Sequence, residues 1–326
     1  MATNAVGSQL TLVEILNNID PSGNQARVAE TLTKMNSMMQ DAPWLEANGQ
    51  LEHRGVRDLK LPSGSWRQYN QGVASEEYQT VPYVESMGML ETYSEVDKAL
   101  ADRMPNPAAY RALRARRFIE GIGQTLATTL LYGNAGTDPE KFTGFQPRLN
   151  TLNDNVVGCG GTGSDLTSIY VIQWGPDMCH MIYPKGHTHA GIEHKDLGEM
   201  RIEDTADSTK HLQAYVDHFR VYGGLVIEDE RCLGRVCNIE SSGSTNSFNE
   251  DKLIEVINVL PFDAQGAVIY CNKTMKTRMQ ILLKDKTNVN FTMDGGNGLS
   301  GMPLMRFQGI PIRLMDAIVN TESAVS

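Results

Sequence analysis

The chain has 326 residues, 40% of them apolar, and a formal net charge of −10. That length exceeds one minimal core and predicts one large or two intertwined domains. The acidic balance excludes a protein whose whole surface seeks phosphate, because nucleic-acid affinity rests largely on counterion release by Lys and Arg; local basic patches are compatible with it.

The first residues, MATNAVGSQLTLVEILNN, have no basic stretch followed by a continuous apolar one and do not read as a signal peptide. No uncharged apolar run approaches the ~18 to 20 residues that cross a bilayer, so the expectation is a soluble chain made in the cytoplasm. Cys159, Cys179, Cys232, Cys237 and Cys271 are odd in number, which predicts reduced, mostly buried thiols.

Residues 1 to 40 are polar and dotted with methionine, and Val28, Leu32, Met35 and Met39 recur at helical spacing between Gln25 and Gln40. Alone they make no core; they read as an arm that packs on something else. The stretch LEHRGVRDLKLPSGSWRQYNQGVASEEYQT follows, with Val56, Leu59 and Leu61 before Pro62-Ser63-Gly64 and Trp66 and Tyr69 after it. A turn between two strand-like runs predicts a long hairpin. Its residues are mainly polar, and a two-stranded hairpin is marginal in water, so a neighbouring subunit would supply the missing support.

The strongest helix is PAAYRALRARRFIEGIGQTLATTLLYGN. Proline suits its first turn, Ile119, Ile122, Leu126 and Leu130 form a stripe, and Gly133-Asn134 supplies a stop, which predicts a spine from Pro107 to Tyr132. Arg111, Arg114, Arg116 and Arg117 crowd its first half, as a solvated face or as a contact with acidic neighbours. Short mixed elements follow. SIYVIQW is a strand, and HLQAYVDHFRVYGGLVIEDERCLGRVCNIE a pair of strands turning at Tyr222-Gly223-Gly224. DKLIEVINVL is a helix, AVIYC a buried strand, and NKTMKTRMQILLKD a second helix. FQGIPIRLMDAIV reads as a final strand whose Pro311 favours an edge. The class is α+β.

Gly158-Cys159-Gly160-Gly161-Thr162-Gly163 has the spacing GxGxxG, which marks a dinucleotide site only between a strand and a helix. Asp154 to Val157 is a poor strand, and the β-branched run after the glycines leaves no room for a helix, so a flexible surface loop is expected. It lacks the Lys-Ser/Thr ending of a P-loop. CHMIYPKGHTHAGIEH gathers Cys179, His180, His187, His189 and His194, but without a His-Glu-x-x-His helix a loop with exposed histidines outweighs a zinc site. Cys232 and Cys237 have no second pair and read as strand cysteines facing opposite sides. Acidic Glu228-Asp229-Glu230 reads as a solvated edge. No nucleophile elbow or other catalytic signature occurs, and no catalytic residue, metal or cofactor is expected.

The succession of elements resembles the major capsid proteins of tailed bacteriophages, within a podovirus-like subfamily. LLYGNAGTDPEKFTGF, WGPDMCHMIYPKGHTHAGIEHKDLGE, YGGLVIEDERCLGRVCNIE and RFQGIPIRLMDAIVNTES carry it, in that order, and with the arm and hairpin they span most of the chain. The resemblance implies a Hong Kong 97-type capsid fold: an N-terminal arm (1–40), an E-loop hairpin (41–82), a peripheral domain with the spine helix (83–145 and 195–245) and an axial domain (146–194 and 246–326). The strands HLQAYVDHFRVYGGLVIEDE and RCLGRVCNIE would belong to the peripheral sheet, yet precede the last axial elements, so the chain order departs from the common capsid arrangement.

The function so implied is a coat subunit that self-assembles into hexamers and pentamers of an icosahedral head enclosing double-stranded DNA. Its partners would be its own copies, a scaffolding protein, a portal protein, a cementing protein and packaged DNA. Arg57, Lys60, Trp66 and Tyr69 on the hairpin, with Arg111, Arg114 and Arg117 on the spine, are the candidate subunit contacts. The alternatives are a cytosolic metal-dependent enzyme using His187, His189 and His194, and a fibre or tail structural protein.

Overall fold

The structure, a computed structural model, describes residues 34–187, 190–204, 207–243, 245–283, 290–294 and 304–326. The expected arm helix therefore lies mostly outside the described residues. Those described fall into two compact units: Lys34 with 89–126 and 191–222, and 35–88 with 127–190 and 223–326.

The larger unit is built on a seven-stranded sheet. Its spatial order is Phe291–Asp294, Leu304–Phe307, Ile310–Leu314, Ala267–Cys271, Leu166–Gln173, Leu233–Glu240, Val156–Gly158. Leu166–Gln173 is buried along its whole length, which is why it reads as a continuous apolar run rather than an alternating one. On one face, Ile169, Val171, Val236 and Ile239 pack with Leu253 and Val256 of the helix Glu250–Val259 and Met275 and Met279 of the helix Lys273–Leu283. The first of these helices starts where the Asn249 side chain accepts from Asp251 N–H.

The opposite face holds a buried ion pair. Arg235, fully buried, donates to Glu322 Oε2 at 2.9 Å, Ser168 Oγ at 3.0 Å and the Leu149 carbonyl at 2.7 Å. Glu322 also accepts from the Ser168 and Tyr132 hydroxyls. Asn238 and Val325 exchange hydrogen bonds at 2.8 Å in both directions. The last residues of the chain are thus stitched into the sheet by paired, satisfied polar groups.

A second sheet in this unit begins with Trp44–Glu46 parallel to Met181–Tyr183. Cys179–Ile182 then pairs antiparallel with Gly224–Ile227, the end of the strand Asp207–Ile227, and the order continues through Gln79–Asp97 to Glu52–Lys60. In the smaller unit Ile192–Asp204 pairs antiparallel with the earlier part of Asp207–Ile227. Val96, Ala101 and Tyr110 form a small core there with Met104 and Tyr215.

The spine helix runs from Pro107 to Tyr132, as predicted, and Gly133 ends it by donating to Thr129 O at 2.7 Å. Of the expected stripe, Ile122, Leu126 and Leu130 are buried and Ile119 is exposed. All five cysteines are free and only Cys159 is partly exposed; burial pushes the Cys232 and Cys271 thiols up to about 12.

Several expectations are corrected. Tyr222-Gly223-Gly224 is no turn: the strand runs through it, and Gly224 is needed because a Cβ there would lie 2.9 Å from both Ile182 and Met87. The reversal falls at the 3₁₀ turn Glu230–Cys232, where Asp229 accepts from Arg231 N–H, so Cys232 is not on a strand. Leu233–Glu240 pairs with Leu166–Gln173 and Val156–Gly158, not with the strands before it, as its two-sided burial demands.

Val156–Gly158 is itself a strand, and the glycine loop after it is packed. Gly161 N donates to Asn238 O at 3.0 Å, and a Cβ on Gly161 would sit 2.6 Å from that oxygen. The expected last strand is two, turning at Gln308-Gly309, both with positive φ. Pro311 is therefore on an inner strand; it faces Arg306, and the ladder to Ala267–Cys271 starts one residue later at Ile312. Ahead of the hairpin strands, Trp44–Glu46 pairs with Met181–Tyr183.

Replacing Glu322 with Ala leaves Arg235 buried without its counter-charge, and urea unfolding should show a loss of about 3–5 kcal/mol. A loss below ~1 kcal/mol would show that the pair does not hold the end of the chain.

Candidate assembly surface

The hairpin is the least self-sufficient part of the larger unit. Glu52–Lys60 pairs antiparallel with Gln79–Ser86, from Glu52↔Ser86 to Lys60↔Gln79. Residues 61–78 connect them without strand structure. Pro62-Ser63-Gly64 is not the reversal that was expected: Ser63 and Gly64 N–H donate to the Glu76 carboxylate at 2.6 and 3.3 Å, which ties the two sides of a longer tip. Trp66 and Tyr69 consequently lie on that tip rather than on the return strand, at 105% and 98% exposure. Val56, Leu59, Leu61, Tyr78 and Val84 are exposed as well. Burying a large apolar side chain contributes roughly 1.5–3 kcal/mol, and this chain gains none of it from Trp66 or Tyr69.

The hairpin is fixed at its base by charge. Glu85, buried, accepts from Arg148 Nη1 at 2.7 Å and Nη2 at 2.5 Å, and Arg57 Nη2 lies 3.9 Å from it. Arg57 also donates to Glu230 at 2.6 Å and to the Ile227 carbonyl, with its guanidinium 4.4 Å from the Tyr83 ring centroid. The Tyr83 hydroxyl donates to Glu228, and burial followed by that carboxylate raises its pKa. His53 Nε2 lies 3.7 Å from Glu228. Bidentate Arg–carboxylate pairs fix direction as well as energy. Glu228 and Glu230, expected to be a solvated edge, are thus partners of the hairpin.

In the smaller unit, Arg111 Nη2 reaches Asp196 at 2.7 Å and Asp217 at 3.0 Å, with its guanidinium 4.8 Å from the Tyr215 ring. That hydrogen bond from Arg111 holds the Asp196 carboxyl below its usual range. Asp217 also meets His194 Nε2 at 3.0 Å, and His194 stacks on Phe219. Arg114 is half-buried and Arg117 exposed.

The seven candidate contact residues therefore fall into two groups. Lys60, Trp66 and Tyr69 are exposed on the hairpin while Arg57 is occupied at its base; Arg111 is occupied within its unit, Arg114 is half-buried and Arg117 faces outward.

Among the described residues the histidines form no metal-binding group. Cys179 and His180 are buried in a strand, and burial lowers the His180 pKa. His194 is committed to Asp217, and His189 lies outside the described residues. Among the described residues no group of three His, Cys, Asp or Glu could hold a metal ion, so the metal-enzyme alternative gains no support.

The sequence matches the family described as Major capsid protein GP7 over residues 20–326. The chain belongs to that family. It is similar to a chain of the solved structure of bacteriophage Epsilon15, at 31% identity over 98% of this chain and 99% of that one, with a TM-score of 0.72. It is also similar to the capsid protein of bacteriophage JBD30, at 12% identity over 94% and 99% of the two chains and a TM-score of 0.51, a likeness of fold alone. Comparison with curated proteins finds no match. The chain is a phage major capsid protein with the Hong Kong 97-type fold, a structural component of the virion capsid that assembles with its own copies.

In this capsid protein the residues that sequence reasoning missed are the partners: Glu85, Arg148 and Glu228 at the hairpin base, and Arg235 with Glu322 in the core. One signal was present. Arg235 interrupts LGRVCNIE, an otherwise buried run, and a charge there demands an opposite charge.

Replacing Arg148 with Met keeps bulk and removes both bonds to Glu85; unfolding should cost about 1.5–3 kcal/mol less than in the unmodified protein, and trypsin should cut faster at Arg54 and Arg57. Unchanged stability and unchanged cleavage would show that the pair does not hold the hairpin.

Proposed function

We propose that this subunit closes into the hexamers and pentamers of an icosahedral head and encloses packaged double-stranded DNA. The observation that carries this reading is the hairpin, whose base is held by charge and whose tip is wholly exposed. An extension with unburied aromatic residues has its packing partner on another copy. Repetition of such heterologous contacts closes a symmetric surface.

In this reading the smaller unit is the peripheral domain, the seven-stranded unit the axial domain, and residues 1–40 the arm. A separately encoded scaffolding protein would guide assembly in the bacterial cytoplasm, a portal protein would occupy one vertex, and a cementing protein would sit outside. The net charge of −10 suits a wall that contains DNA without gripping it.

Electron microscopy of the purified protein, expressed alone and with the neighbouring phage genes, tests this. Closed shells or rings of five and six subunits are expected; small discrete oligomers under both conditions would overturn it.

A further inference from the structure

Two histidines meet at the base of the hairpin. His53, half-buried on the strand Glu52–Lys60, accepts at Nδ1 from the Asn48 N–H at 3.4 Å, so in the neutral ring Nε2 carries the proton and faces Glu228 at 3.7 Å. His180, buried in the strand Cys179–Tyr183, stands edge-on to it with ring centroids 6.3 Å apart. Among the described residues the buried His180 Nδ1 has no hydrogen-bond partner. A buried polar atom left empty calls for a reason. In the neutral ring with its proton on Nε2, that nitrogen is only an unfilled acceptor. In the imidazolium it becomes a donor with nothing to receive its proton, and the ring carries a charge away from water.

The groups around His180 do not cancel this cost. Burial pushes its pKa down, Glu228 pulls it up, His53 lowers it again, and the Gly175 backbone and Asp177 raise it; the net direction is downward. Glu228 is not free to serve His180 alone, since it also accepts from the Tyr83 hydroxyl, and Tyr83 in turn neighbours Arg57 and Glu85. The apolar contact here is small: Ala47, Ile182 and Val226 with Tyr83 and Met87. Lifting the hairpin base off the strand Cys179–Tyr183 therefore exposes less apolar area than opening the core under the seven-stranded sheet, and it returns both rings to water.

We propose that His180 and His53 form an acid-sensitive catch on the hairpin: with both rings neutral the base is closed against the strand Cys179–Tyr183, and protonation opens it. A group whose pKa is lower in the closed state than in the open one binds more protons when released, so a falling pH favours release. The closed state keeps its full stability above about 6.5, the ordinary histidine value, and loses it as the pH falls from there through the lowered value of buried His180. Once charged, His53 adds a positive ring 6.3 Å from His180 and makes the second protonation costlier in the closed state. The catch belongs to the single subunit, so it stands or falls independently of the coat reading.

Amide hydrogen exchange of the full-length subunit at about pH 7.5 and about pH 5.5, corrected for the intrinsic rate at each, tests the catch. On acidification the protection of residues 52–60 and 79–86 should fall about tenfold more than that of the spine helix Pro107–Tyr132. His180→Gln cannot take the proton and should hold its protection within about twofold across the same range, whereas His53→Gln should show a smaller fall than the unmodified protein. Exchange at the histidine C2 carbons of the unmodified protein reads each ring's titration, and His180 should titrate below the exposed His211. Protection of the hairpin strands that does not change with pH would overturn the proposal, as would an equal fall in His180→Gln. A fall in His53→Gln as large as in the unmodified protein would overturn the pairing of the two rings. If His180→Gln does not fold, the C2 exchange decides alone, and His180 titrating with or above His211 would overturn the catch.

Discussion

The constraint on which this structure depends is that its hairpin must hold a direction with no packing at its end. A two-stranded ribbon in water is marginal, and the ribbon here leaves Trp66, Tyr69, Leu59 and Leu61 in solvent. Direction is therefore imposed from the base. Glu85 is clasped by Arg148 and approached by Arg57, and Arg57 is tied in turn to Glu230 and the Ile227 carbonyl. These charges are partly shielded from water and hydrogen-bonded, the condition under which an ion pair constrains geometry instead of merely decorating a surface.

The larger unit supplies the rigid body to which such a lever can be fastened. Its central strands are buried on both faces, and its last residues are locked by Arg235, Glu322 and the Asn238–Val325 exchange. A buried ion pair adds little net stability over apolar packing, but removing one member is costly, so the arrangement fixes where the end of the chain lies. The same logic acts at both places. Charge sets position, and apolar area is either buried inside the unit or left exposed on the hairpin.

Much of this was legible along the chain. Pro107 and Gly133 bracket the spine helix because proline fits a first turn and glycine a stop, and the β-branched run of Leu166–Gln173 declares a strand sealed on both faces. What was not legible depends on distant partners. Gly224 looks like a turn until Ile182 and Met87 are found against it, and Pro311 looks like an edge residue until the parallel ladder is seen to start after it. The Glu85–Arg148 pair joins residues far apart in sequence, and neither one announces the other. Of the candidate contacts, Trp66 and Tyr69 could be chosen from composition because aromatic residues in a polar ribbon are conspicuous, whereas Arg57 and Arg111 owe their roles to neighbours that only folding brings near.

The central claim is that residues 58–82 are completed by other copies and not by their own chain. Amide hydrogen exchange of that segment, compared between free subunits and assembled particles, tests it most directly. Rapid exchange in the free subunit and strong protection in the particle is the expected result. Equal protection in both states, with the tip already shielded in the free subunit, would contradict it.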